Sequence, residues 1–217
     1  MYFYDNPNLE KIVEVQTKVC GITQLDDALM CEALGVDFLG FNFVEASPRF
    51  IDPVMADEMI AEISPDTICV GIFQNHDADY IKECIELSGI DALQFHGSET
   101  VDFIAQFDLP KIKVFSVTED FDLTQLIEFE EVVDYFLFDS QVGSQEGGTG
   151  LAFDWSQIKS IQTSKPWFLA GGLGPDNMKD ALAVVQPFGF DLNSKVEKSP
   201  GTKDLSLVRE CLEILEA

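Results

Sequence analysis

Short, nearly continuous apolar runs alternate along this chain with longer stretches in which apolar residues recur every three or four positions. The first rhythm is that of parallel strands covered on both faces; the second is that of helices with one buried side. The runs predict strands over Thr17–Cys20, Asp37–Phe43, Thr67–Phe73, Ala92–Phe95, Ile112–Ser116, Tyr135–Phe138, Trp167–Ala170 and Phe190–Leu192. Helical periodicity follows each of them. It covers Leu25–Leu34, stopped by Gly35, then a stretch opening at Pro53, and about Asp77–Ser88. Further helices are expected after a Ser98 cap, within residues 122–130, near Trp155, from Pro175, and over about Asp204–Glu216.

Eight strand-then-helix units predict an α/β protein, a single (β/α)8 TIM barrel with one domain over residues 1–217. Residues 1–16 show no clear period and are expected to be a short N-terminal extension, a cap over the bottom of the barrel. An open doubly wound sheet is the alternative. Against it, the first strand is not followed by G-x-G-x-x-G.

With 46% hydrophobic residues in 217, the chain can bury one sizeable core. No apolar run approaches the 18 or so residues of a membrane span, and no basic segment precedes an apolar one at the start. A cytoplasmic protein is expected. The 39 acids against 13 bases give a formal charge of −26, a surface that repels polyanions. Nucleic acid and anionic membrane are therefore rejected as partners. Five cysteines without C-x-x-C spacing and two histidines suggest neither a zinc site nor a disulfide framework.

Barrels of this kind gather their chemistry at the C-terminal ends of the strands. Cys20 ends the first strand and Asp139 follows the sixth, a candidate acid–base pair. A thiol with a reference pKa of about 8.5 is a poor base at neutral pH, so the site has to favour the thiolate. Taken by themselves, Cys20 also fits a small buried hydrophobe and Asp139 a capping carboxylate. The turns Ala170-Gly171-Gly172 and Asn193-Ser194 follow the last two strands, where exposed backbone N–H groups make a phosphate site. Arg49 is one of two arginines, and its planar fork suits a carboxylate. His96 also sits at a strand end, where a structural role is equally open.

The segments KVCGIT (18–23), GFNF with SPRF (40–50), VGIF with Gln74-Asn75, LQFHG (93–97), FLFDS (136–140), GGTG with FDW (147–155), LAGGL (169–173) and VE..PG.KD (196–204) stand in order. Together they resemble the phosphoribosylanthranilate isomerases of tryptophan biosynthesis, over nearly the whole length from Thr17. The resemblance implies an Amadori rearrangement of a phosphosugar substrate, N-(5-phosphoribosyl)anthranilate, with Asp139 as acid and Cys20 as base. It implies that Arg49, Gln94, His96, Gly148 and Gly150 surround the substrate, and that Gly171, Gly172, Asn193, Ser194 and Lys195 hold its phosphate. Proton transfers suffice for this chemistry, so no metal or redox cofactor is expected. Association with other tryptophan-pathway enzymes is left open. So are a histidine-pathway isomerase, which pairs two aspartates instead, and a catalytically silent barrel that only binds anionic metabolites.

One position departs from the family. After the eighth strand such enzymes read S-S-G-V-E, whereas this chain reads Asn193-Ser194-Lys195-Val196-Glu197. Lysine in place of glycine is expected to rearrange the phosphate loop, its ammonium offsetting the repulsion between a dianionic ester and so acidic a protein; the alternative is that Lys195 points to solvent and the loop keeps its amides.

The scarcity of bases further suggests adaptation to high salt, because added ions screen the self-repulsion of the folded chain. The melting temperature is expected to rise from low to molar salt; a flat or falling trend across that range would contradict this.

Overall fold

The computed structural model describes residues 15–118, 121–139, 155–159 and 161–217. Residues 1–14 of the predicted extension, and the Gly-rich 143–150 segment with Gly148 and Gly150, lie outside them. The first half of the barrel runs β1 Gln16–Cys20, α1 Leu25–Ala33, β2 Phe38–Asn42, α2 Pro53–Ile60, β3 Ile68–Phe73, α3 Ala78–Ser88, β4 Ala92–Phe95 and α4 Val101–Ile104. The second half runs β5 Lys111–Ser116, α5 Thr124–Phe129, β6 Tyr135–Asp139, α6 Ser156–Lys159, β7 Trp167–Ala170, α7 Met178–Val184, β8 Gly189–Leu192 and α8 Leu205–Leu215. A hairpin, β9 Glu197–Ser199 with β10 Thr202–Lys203, intervenes before α8. All eight main strands are parallel, each pairs with the next, and β1 pairs with β8. The closed barrel is thus found, and the open-sheet alternative fails on the β1–β8 pairing. Among the described residues no helix is long and apolar enough to cross a membrane.

The pleat sends successive side chains to opposite faces, which gives the barrel two cores. Outward residues such as Val19, Leu39, Phe41, Leu93, Phe136, Phe138, Leu169 and Phe190 pack beneath the helices. Inward residues Phe38, Val70, Ala92, Ile112, Val114, Leu137 and Phe168 fill the lower interior. An aromatic group closes the floor, with Phe168 edge-on to Phe38 at 5.2 Å and to Phe188 at 5.4 Å. Gly189 lies against this floor, where a Cβ would stand 2.7 Å from Phe168 Cε1 and 2.6 Å from the Gln16 carbonyl. Two residues further along β4, β6 and β8 the inward face turns polar: Ala92 gives way to Gln94, Leu137 to Asp139, and Gly189 to Asp191. The mouth is where the apolar filling stops.

Several boundaries differ from expectation for local reasons. Strand β1 begins at Gln16, whose N–H donates to the Phe188 carbonyl. Thr100, not Ser98, caps α4 by accepting from the Phe103 N–H, while Ser98 donates to Asn75 Oδ1. Helix α7 begins at Met178 rather than Pro175. The Asn177 side chain accepts from the Gly174 N–H and donates to the Gly172 carbonyl, holding that stretch in a turn.

A buried ion pair braces the mouth from outside the barrel. Lys113 Nζ lies 2.9 Å from Glu99 Oε2 and donates to the Gly97 carbonyl at 2.6 Å. Glu99 in turn accepts from the Asn75 and Gly97 N–H groups, tying the loops after β3 and β4 to β5. Burial works against the Glu99 charge, but these N–H groups and Lys113 outweigh it and hold its carboxyl below the usual range.

A depressed folded pKa means that Glu99 contributes stability above its unfolded value of about 4.3, and that this is lost as pH falls through the lower folded value. Glu99→Gln, which strands Lys113, is expected to lower the unfolding free energy by about 3 kcal/mol at pH 7. Denaturant titrations should show that deficit shrinking below pH 4; a deficit unchanged with pH would contradict the pairing.

Candidate active site

A cavity of about 190 Å³ opens at the C-terminal mouth of the barrel. Cys20, Arg49, Gln94, His96, Asp139, Gly171, Gly172, Asn193 and Ser194 all line it. The structure therefore brings together nine residues that the sequence singled out, from six different strand ends. Asn42 and Asp191 join them without having been anticipated.

Cys20 is 7% exposed at the end of β1, and its surroundings act on the thiol in both directions. Burial pushes the thiol pKa up, and Asp191 adds to that; Lys18 and Lys203 pull the other way without overcoming it. In the open site Cys20 is a protonated thiol. Close backbone approach helps seat it, for a Cβ on Gly40 would come 3.0 Å from both Cys20 Cα and Sγ.

Beneath Cys20, on the same inward face of β1, lies Lys18. Its ammonium is fully buried and sits 3.0 Å from Asp191 Oδ1 on β8. Burial alone would strip the charge from Lys18, but Asp191 and Cys20 outweigh it and raise its pKa. Burial also pushes the Asp191 carboxyl pKa up, and the neighbouring ammonium pulls against it without overcoming it.

Asp139 and His96 face each other across the mouth, Oδ2 to Nε2 at 3.9 Å. Desolvation pushes the imidazole pKa down, against the pull of Asp139, so His96 is neutral at pH 7. Gln94 is 1% exposed, and its Oε1 has no hydrogen-bond partner among the described residues.

Arg49 reaches the mouth from the loop after β2, crossing over Gly21, where a Cβ would stand 2.6 Å from Arg49 Cδ. One edge of its guanidinium is taken by Glu197: Nε donates at 2.9 and 3.1 Å and Nη2 at 2.6 Å. Glu197 also accepts from Lys203 at 2.7 Å and from the Gly201 N–H. Burial opposes the Glu197 charge, yet Arg49 and Lys203 hold its carboxyl below the usual range. Lys203 donates onward to the Cys20 carbonyl at 2.5 Å and to Asn193 Oδ1 at 3.2 Å. The β9–β10 hairpin thereby ties Arg49, the end of β1 and the end of β8 into one unit. The sequence showed VE..PG.KD as a motif but gave no sign that its Glu and Lys meet Arg49 and Cys20.

On the far side, Gly171 and Gly172 take positive φ values of 102° and 63°, a turn that an L side chain would strain. Ser194 opens a single 3-10 turn, Ser194–Val196. The loops after β7 and β8 touch, since a Cβ on Gly174 would stand 2.9 Å from Lys195 Cβ. Lys195 is exposed, and among the described residues Asn75 is the one non-glycine with positive φ. The expected conflict between lysine and a glycine-like backbone therefore does not arise.

The family model described as N-(5'phosphoribosyl)anthranilate (PRA) isomerase matches residues 17–214. The N-(5'-phosphoribosyl)anthranilate isomerase of Petrotoga mobilis is 38% identical over 92% of this chain and 96% of its own, and that of Hahella chejuensis 39% over 90% and 92%. The solved phosphoribosyl anthranilate isomerase of Thermotoga maritima superposes with a TM-score of 0.86 at 32% identity, covering 93% of this chain and 98% of that one. A further solved isomerase, with a TM-score of 0.81 and 30% identity over the same shares, holds reduced 1-(o-carboxyphenylamino)-1-deoxyribulose 5-phosphate. With its closed barrel, its mouth and this match along nearly every element, the chain belongs to the N-(5'-phosphoribosyl)anthranilate isomerase family.

Proposed function

We propose that this chain converts N-(5'-phosphoribosyl)anthranilate to 1-(2-carboxyphenylamino)-1-deoxyribulose 5-phosphate in tryptophan biosynthesis, with Asp139 as general acid and Cys20 as general base. The observation that carries this reading is that both residues line one small cavity in the barrel mouth, with the glycine turn after β7 at its edge.

Asp139 gives its proton to the ring oxygen as the C1'–O bond breaks, leaving an iminium between C1' and the anthranilate nitrogen. The Cys20 thiolate takes the C2' proton; the C–H electron pair becomes the C1'=C2' bond and the nitrogen recovers its lone pair. The enolamine then loses its O2' proton and gains one at C1', giving the ketone. The resting thiol gives up its proton, through solvent, to the Asp139 carboxylate left by ring opening, and the C2' proton then restores the thiol, so both groups end the turnover protonated as they began. The cationic iminium also answers the problem of the resting thiol, since a positive charge beside Cys20 favours its thiolate.

The remaining residues fit the parts of the ligand held by the related isomerase. The side of Arg49 not engaged by Glu197 serves the carboxyphenyl group, by charge or by stacking. The buried Gln94 acceptor serves a sugar hydroxyl, since leaving it unpaired costs free energy. Neutral His96 positions Asp139. Backbone groups at Gly171, Gly172, Asn193 and Ser194 hold the phosphate, with the Lys195 ammonium added from the rim; Gly148 and Gly150 belong to the same substrate-binding set. We read the chain as one cytoplasmic domain with a short N-terminal extension.

Phosphoribosylanthranilate fluorescence, followed on adding purified protein, should decay with wild type. Cys20→Ser and Asp139→Asn should each lower kcat by about a hundredfold or more, and Lys195→Gly should raise KM with kcat little changed. Full activity in either catalytic variant would contradict the assignment, and no decay with folded wild type would favour a silent binder.

A further inference from the structure

The Lys18–Asp191 pair calls for an explanation that stability does not supply. Two charges taken out of water in a barrel core gain little over apolar residues of the same volume. Asp191 belongs to the polar layer of Gln94 and Asp139, whereas the inward residues one step below, Ala92, Leu137 and Gly189, are apolar or a glycine. The pair stands directly under Cys20: the strand period places Lys18 and Cys20 on one face of β1, and register places Asp191 beside Lys18.

We propose that Lys18 is a positioning residue whose ammonium stabilises the Cys20 thiolate, and that Asp191 is the counter-charge that holds this ammonium in place and moderates its effect. The inference rests on the reading of Cys20 as the base. Lys18 reaches Cys20 from below and favours the thiolate by charge and by donation, while Asp191 opposes it from β8. The other groups facing Cys20 are otherwise engaged. Lys203, from β10, directs its ammonium to the Cys20 carbonyl and to Glu197. Arg49, from the loop after β2, is held by Glu197, and His96 and Asp139 face each other across the mouth. Lys18 is thus the cation aimed along the inward face on which the thiol stands. A buried base that must be charged for one step and neutral after it is well served by a cation whose own charge is balanced nearby.

The rate of Cys20 alkylation by neutral iodoacetamide, followed against pH on the full chain and located by mass spectrometry, reads the thiol directly. The other cysteines are buried, with Cys31, Cys69 and Cys211 pushed up to about 12 and Cys84 to about 11, so they react slowly. Lys18→Met should move the midpoint up by about one pH unit, a tenfold loss of rate below it, and Asp191→Asn should move it down. Lys18→Arg should restore it toward wild type. Where a stranded charge prevents a single variant from folding, the double variant Lys18→Met/Asp191→Asn carries neither charge, and its midpoint should lie modestly above wild type. Shifts of the same sign in both single variants, or an unmoved midpoint in Lys18→Met and in the double variant, would overturn the proposal. Midpoints that move as stated while kcat/KM stays constant would uphold the electrostatic role and refute Cys20 as the base.

Discussion

With helices on one face only, eight parallel strands bury the other face by closing, β1 pairing with β8, and that seam carries the weight of this structure. It is also where the polar interior is densest. Lys18 and Asp191 face each other across it inside the barrel. Above them, Lys203 links the carbonyl of Cys20 on β1 to Asn193 just past β8. The first and last strands are 173 residues apart at the Lys18–Asp191 contact, so closure of the chain and assembly of the surroundings of Cys20 are one event. In the closed barrel, losing either partner would leave a buried charge unpaired, which few domains have the stability to bear.

Charge is distributed against the average. The chain as a whole carries −26, yet several of its few cations gather around the barrel mouth. Lys18, Lys113 and Lys203 are buried beneath or beside the mouth, and Arg49 lies at its edge. Each is matched by a specific carboxylate, Asp191, Glu99 or Glu197, the last shared by Arg49 and Lys203. These carboxylates fix the position of the cations more than they neutralise an excess. Glu197 in particular turns Arg49 into an oriented fork rather than a mobile surface charge.

The barrel was legible in the sequence because its strands are buried on both faces and read as apolar runs. The ends of those runs then pointed to Cys20, Asp139, Gly171 and Gly172. What escaped depended on partners far away in sequence. Lys18 reads as a polar residue at the start of KVCGIT, and nothing local tells that Asp191 will meet it. The β9–β10 hairpin is too short to carry a period, with strands of three and two residues. The start of α7 was misplaced because Pro175 suits a first helical turn, whereas the Asn177 side chain takes over the backbone groups there. The ionisation of Cys20 escaped for a related reason: sequence shows the thiol but not its depth, and desolvation outweighs the nearby cations.

The central claim is that Cys20 removes the C2' proton of a ring-opened sugar as a base. The most direct measurement is the fate of deuterium placed at C2' of phosphoribosylanthranilate, followed by mass spectrometry of the product. Removal by the thiolate predicts that the label is lost to water through the exchangeable thiol. Complete retention of deuterium, carried to C1' of the product, would mean a direct hydride shift and would contradict a base at Cys20.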